Sequence, residues 1–334
     1  MDNAAWLDAQ TKANFHDKLS NIIVNIAGPS WVLNNKLLDQ HYRNLSIVIK
    51  PKDDFVKCLI TLTVFRQDEV YDTLMDEPKR KTTPFSSAEV NAWYLKQRNA
   101  VDIPAAIMNP PYFRGDFPKV VNYASIGTVI GYQMSEAFGR EGGYSNGTLV
   151  QTMTASSRKG FDEMQRCLTN LYTASCYLDI DSWVSGEKTF DENLADNTGL
   201  KIAYNAYKNT NDSAFKPLPA LKLYSVDQVF FLSFAHMLCE IRPPRNVPNH
   251  LYNDGHSSAR ERTLNTLKNF PPFAEAFQRP IICSYCYSDV QKRVTRPALE
   301  SKTSRLSCLI IGLEYFDITC EVPVTVSTED HRHK

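Results

Sequence analysis

Apolar residues recur at three- and four-residue spacing in segment after segment of this chain. That period restricts the fold more than any other feature. Residues 12–27 (KANFHDKLSNIIVNIA) place Phe15, Leu19, Ile22, Ile23 and Ile26 on one helical stripe, and Gly28-Pro29 follows as a stop. The same period predicts helices at 36–49, 54–67, 126–138, 159–176, 191–208, 226–240 and 259–269. One stretch breaks it. VNAWYLKQRNAVDIPAAIMNPPYF (90–113) mixes β-prone residues with Pro104 and Pro110-Pro111, which predicts strand–turn–strand. At least one of these strands is expected at an edge, because proline lacks a ladder donor. No internal repeat interrupts the pattern. The expected fold is therefore mainly α with a small β-sheet, an α+β protein.

The charge balance excludes some function classes. Lys+Arg and Asp+Glu stand at 37 each, so no overall field draws the chain to nucleic acid or an anionic membrane. The basic run at 79–81 reads as a solvated loop. No stretch approaches the ~18 apolar residues of a membrane span, and MDNAAWLDAQTKANF lacks the apolar core of a secretory signal. A soluble chain without a transmembrane segment is expected. With 334 residues and 43% hydrophobic content it can bury a sizeable core.

Composition shifts suggest three parts: a helical segment at 1–75, a main domain at 76–280 after the linker DEPKRKTTPFSS, and an atypical tail at 281–334. Eight cysteines are too few for a small disulfide scaffold. Cys283 and Cys286 form a lone C-x-x-C that Cys308 and Cys320 do not complete to a zinc ribbon. His331 and His333 read as a charged terminus. The sequons at Asn44, Asn146 and Asn211 do not settle a compartment.

Chemistry gathers in a few segments. VIGYQMSEAF (129–138) has the spacing of a buried helix, yet Tyr132, Gln133 and Glu136 occupy the positions of a zinc-binding H-E-x-x-H helix. Glu192 and Asp196, four residues apart in TFDENLADNTGLKIAYNAY, share one helical face. Alone they read as an acidic first turn favoured by the helix dipole. His256 and Arg262 follow in NDGHSSARERTLNTL.

Taken in order, VNAWY, IPAAIMNPPYF, NYASIGTVIGYQMSEAF, DENLADNTGLKIAYNAY, FFLSFAHMLCEIRPP and HSSARERTLNTLKNFPPFAEAF resemble successive blocks of the neprilysin and endothelin-converting-enzyme family of zinc metallopeptidases. The resemblance runs from about residue 10 to about 279. It implies a thermolysin-like (gluzincin) catalytic domain, with residues 1–75 corresponding to a remnant of the second, cleft-closing domain. In that family the helix reads V-I-G-H-E-I-T-H-A-F. Two histidines hold one zinc ion, and the glutamate between them activates water.

Carried over by position, the third zinc ligand is Glu192 and the acid orienting a ligand histidine is Asp196; both are retained. The histidines are replaced by Tyr132 and Glu136, and the general base by Gln133. The family's following A-F-D-D loses its acids to Gly139 and Arg140. Tyrosine titrates near ~10 and is a poor zinc ligand at neutral pH. Glutamine cannot take a proton from water. No cofactor is therefore expected where the family carries zinc. Asn91 and Ala92 match the N-A-Y/F edge-strand motif that holds substrate backbone. His256 matches the histidine that stabilises the oxyanion, and Arg262 the arginine at the substrate carbonyl.

Without zinc, the carboxylates of Glu136, Glu192 and Asp196 are expected to converge and repel. Relief is expected from an inward arginine (Arg262 or Arg140), a proton, or a hard cation such as Ca²⁺. Three functions follow. The first is a catalytically inactive pseudopeptidase that keeps peptide or partner binding. The second is a residual hydrolase using another metal or the Glu136/Glu192 pair. The third is a non-functional truncated product, since the family adds a membrane-anchored or extracellular first domain and a different C-terminus. On that comparison Cys239 loses its disulfide partner, and Cys167 has only Cys283 or Cys286 as a substitute.

Overall fold

Asp8 accepts a hydrogen bond from Thr11 N and starts helix α1 (Ala9–Ser20), the first element of the computed structural model. The structure describes residues 1–2, 4–45, 55–72, 74, 83–139, 143–145, 148–150, 152–177, 182–210 and 219–278. After α1 come strand β1 (Ile23–Ala27) and helices α2 (Asn35–His41) and α3 (Phe55–Asp72). Strands β2 (Trp93–Leu95) and β3 (Ala100–Pro104) precede helices α4 (Lys119–Ala124) and α5 (Ile126–Ser135). A 3₁₀ turn, Glu136–Phe138, continues α5.

Two hairpins, β4 (Gly143–Ser145) with β5 (Thr148–Val150) and β6 (Cys176–Tyr177) with β7 (Ser182–Trp183), flank α6 (Ala155–Thr173). The long helix α7 (Phe190–Lys208) and helices α8 (Val226–Met237), α9 (Val247–Asn253), α10 (Ala259–Lys268) and α11 (Pro271–Ala276) follow. No helix of the described residues is long and apolar enough to cross a membrane.

The main sheet has the order β1-β3-β2. Strand β1 runs parallel to β3, with Ile23 opposite Ala100, and β2 runs antiparallel to it. The 12–27 helix is thus corrected: it ends at Ser20, and IVNIA is a strand. Ile23, Val24 and Ile26 are β-branched, and the open edge of β3 supplies the ladder that a helix would have to forgo. Asn99, at φ 45°, closes the β2–β3 turn in the left-handed region that asparagine tolerates. Pro104 does not mark an edge; it is the last residue of the central strand, opposite Ala27 of β1. The helix expected at 36–49 ends at His41 among the described residues. Arg140, the basic run at 79–81, the four cysteines from Cys283 onward, His331 and His333 all lie outside the described residues.

Helix α7 lies between two packed cores. On one side Phe230, Phe231 and Phe234 of α8, each no more than 1% exposed, pack with Leu200, Tyr204 and Val120. On the other, Phe161, Leu168 and Tyr172 of α6 pack with Phe15 and Phe190. A third cluster joins Val101 and Ile103 of β3 to Ile126 of α5. These cores fix α5 and α7 side by side, and the candidate site lies across them.

Candidate functional site across α5, α7 and α10

Two glycines set the approach of the site helices. A Cβ at Gly131 would meet Gly199 O at 2.8 Å, and one at Gly199 would meet Tyr132 N at 2.7 Å. Backbone therefore lies directly against backbone, which carries Tyr132 of α5 toward Glu192 in the first turn of α7.

Tyr132, Glu192 and His256 meet at one point. His256 Nε2 lies 3.4 Å from the Tyr132 hydroxyl and 3.4 Å from Glu192 Oε2. On its other face His256 Nδ1 is 2.9 Å from Asp254 Oδ1, and its backbone N–H donates to the same oxygen at 2.9 Å. Asp254 Oδ2 also meets His250 Nδ1 at 2.9 Å. Burial works against the Asp254 charge, but the hydrogen bonds from His256 and the two histidines outweigh it and hold the carboxyl at about 2. Sequence reasoning did not single out Asp254. Its signal was the D-x-H spacing before α10.

Arg262 of α10 is the arginine that answers the acidic face. Its Nε and a terminal nitrogen each donate to Asp196 at 2.8 Å, a bidentate pair in which Asp196 is only 3% exposed. The guanidinium carbon also stands 5.7 Å from the centroid of the Tyr132 ring. Burial disfavours the Arg262 charge, but attraction to Asp196 and the hydrogen bonds to it prevail and raise its pKa.

Glu136 begins the 3₁₀ turn after α5, where burial pushes its carboxyl up to about 7 against the opposing pull of Lys96. Glu192 is also raised, first by burial, with His256 acting the other way. Asp196 adds repulsion to both glutamates. Gln133 is buried in α5. Asn91 is exposed just before edge strand β2, and its side-chain oxygen accepts from Ala92 N at 2.9 Å, so the pair stays beside the sheet edge. Among the described residues no group of three or more His, Cys, Asp or Glu side chains is arranged to hold a metal ion. Cys239 is disulfide-bonded, so the expectation of an orphaned thiol there is corrected.

The model of peptidase family M13 matches residues 91–292, which contain all of these site residues. The chain belongs to that family. Neprilysin-11 of Caenorhabditis elegans is 33% identical over 279 residues, covering 82% of this chain and 33% of the relative. Endothelin-converting enzyme 1 of Mus musculus is 31% identical over 279 residues, covering 82% of this chain and 36% of the relative. The crystal structure of PepO from Lactobacillus rhamnosis HN001 superposes with a TM-score of 0.69 at 25% identity, over 88% of this chain and 44% of that one. The chain thus spans about a third of these curated relatives' length. Its fold is that of the thermolysin-like peptidase domain of the M13 family.

Proposed function

We propose that this chain is a catalytically inactive member of the M13 family whose cleft binds peptides without cutting them. The observation that carries this reading is the contact of the Tyr132 hydroxyl with His256 Nε2 beside Glu192. The family's zinc needs imidazole donors at 132 and 136, and this chain offers a phenol and a partly buried carboxyl whose pKa is pushed up to about 7. Those donors do not fit zinc. Arg262, a fixed cation, already satisfies Asp196, which in the family orients a ligand histidine.

Proton chemistry fails independently. The Gln133 amide has no ionisable group and cannot deprotonate water, a loss worth roughly 10²–10⁴-fold by itself. What remains is suited to holding a peptide. Strand β2 is a sheet edge able to take an added strand, with Asn91 next to it. His256, oriented by Asp254, presents Nε2 to a carbonyl or carboxylate.

Metal analysis of the purified protein together with a peptide-hydrolysis assay tests this reading. The expected result is no stoichiometric zinc and no chelator-sensitive cleavage; either one overturns it. Restoring Tyr132→His, Gln133→Glu and Glu136→His together is expected to bring back zinc binding, because Glu192 and the helix contact at Gly131 are kept.

A further inference from the structure

Helix α3 leans on the rest of the described chain along one narrow side. Cys58, Thr61, Phe65 and Glu69, at three- and four-residue spacing, are its half-buried positions. The Phe65 ring packs 5.7 Å from that of Tyr42, and Glu69 meets His41 Nε2 at 3.1 Å. None of the helix's 18 residues is buried. The opposite side is apolar and open: Val56, Leu59, Ile60, Val70 and Tyr71 are exposed by 54%, 50%, 58%, 56% and 58%. Aliphatic and aromatic side chains gathered on one exposed helical face mark an interaction surface.

The charges beside this stripe select an occupant. Lys57 and Asp68 are exposed and stand three helical turns apart, so they lie on the same flank of the stripe. Thr63 sits at the stripe's middle, equally far in sequence from Val56 and Val70. A second copy of α3 laid antiparallel across the first, Thr63 facing Thr63, sets Val56 against Val70 of that copy. It also brings Lys57 to Asp68 of that copy, and two-fold symmetry repeats each pairing. A parallel arrangement instead sets Lys57 beside Lys57 and Asp68 beside Asp68, which repel. The face is therefore complementary to itself in one direction only. The exposed parts of the five apolar side chains come to roughly 500 Å² per chain, below the ~800 Å² per partner of a standard interface, which suits reversible association.

We propose that α3 is a self-association face through which two copies of this chain form a reversible, antiparallel dimer. The proposal is independent of the peptide-binding reading, because no residue of α3 belongs to the candidate site.

Sedimentation of the whole chain between about 1 and 200 µM, a range that spans weak association, tests it. A weight-average mass that rises from monomer toward dimer with concentration is expected. Ile60→Glu is expected to hold the mass at monomer throughout, while the dilute protein unfolds as before. Lys57→Glu alone and Asp68→Lys alone each bring like charges together and are expected to weaken the dimer about tenfold, and the double variant to restore it. Monomer at every concentration overturns the proposal; loss of hydrophobic-dye binding in Ile60→Glu would then assign the face to a different polypeptide. A dimer indifferent to Ile60→Glu also overturns it, since the interface then lies elsewhere. A dimer broken by Ile60→Glu but not restored by the double charge reversal overturns the antiparallel arrangement.

Discussion

Glu136, which the proposed reading places at a histidine position of the family, is partly buried, and that gives it a measurable signature. The folded protein holds the Glu136 proton to about pH 7, whereas the ordinary value is 4.5. Folding therefore takes up a proton between these values, and stability falls as pH rises through that window. The full effect is at most about 3 kcal/mol. Glu136→Gln is expected to flatten the decline in unfolding midpoint between pH 5 and 8, measured by circular dichroism. An unchanged slope would assign the decline to other groups. Arg262 gives the opposite kind of test. Its pair with the 3%-exposed Asp196 is satisfied on both sides, so Arg262→Ala leaves a buried carboxylate alone. Removing one partner of such a pair costs ~3–5 kcal/mol. Urea denaturation is expected to show that loss at neutral pH, with part of it recovered in Arg262→Ala/Asp196→Asn.

Among the elements, the α5–α7 contact has the least tolerance. At Gly131 a methyl group meets the Gly199 carbonyl oxygen at 2.8 Å and its Cα at 3.1 Å, and backbone cannot move aside as a side chain can. Gly131→Ala is expected to destabilise the chain by ~1–3 kcal/mol through overpacking. It also separates Tyr132 from Glu192 and His256, so the ring resonances of His256 should shift in NMR spectra. Thr128→Ser, a small change in the same helix, is the control for local disruption. Strand β1 makes the complementary point. Ile26 is 56% exposed and Val24 44%, so apolar periodicity there did not report burial. The backbone ladder to β3 holds the strand in place.

On the scale of the whole molecule, the M13 fold is built with a phenol, an amide and a carboxyl at positions 132, 133 and 136. Binding that favours the folded state raises its unfolding midpoint by mass action. For this chain, a chelator or added zinc is expected to leave the midpoint of thermal unfolding unchanged, as read by scanning calorimetry. The triple variant carrying histidine at 132 and 136 and glutamate at 133 is expected to gain several degrees with zinc. Helix α3 shows a second whole-molecule property. Phe55, Ile60 and Val70 are exposed by 76%, 58% and 56%, an apolar surface on an 18-residue helix. Ile60→Glu is expected to change stability by no more than ~0.5 kcal/mol, because little is packed against that side chain. Reduced binding of a hydrophobic dye would accompany it.

The sequence by itself determined most helices, because their apolar stripes are local and repeat with the helical period. It also determined which groups stand at 132 and 133, since a phenol and an amide have fixed donor and acceptor properties wherever they are placed. Only the tertiary structure decided that 23–27 is a strand, because its partner lies some seventy residues away in β3. Only the tertiary structure showed Arg262, and not another cation, closing on Asp196, and Asp254 bridging His250 and His256. Those pairings depend on how α7, α9 and α10 are brought together by packing. A residue's charge is written in its own side chain, but the partner that satisfies it is chosen by the fold.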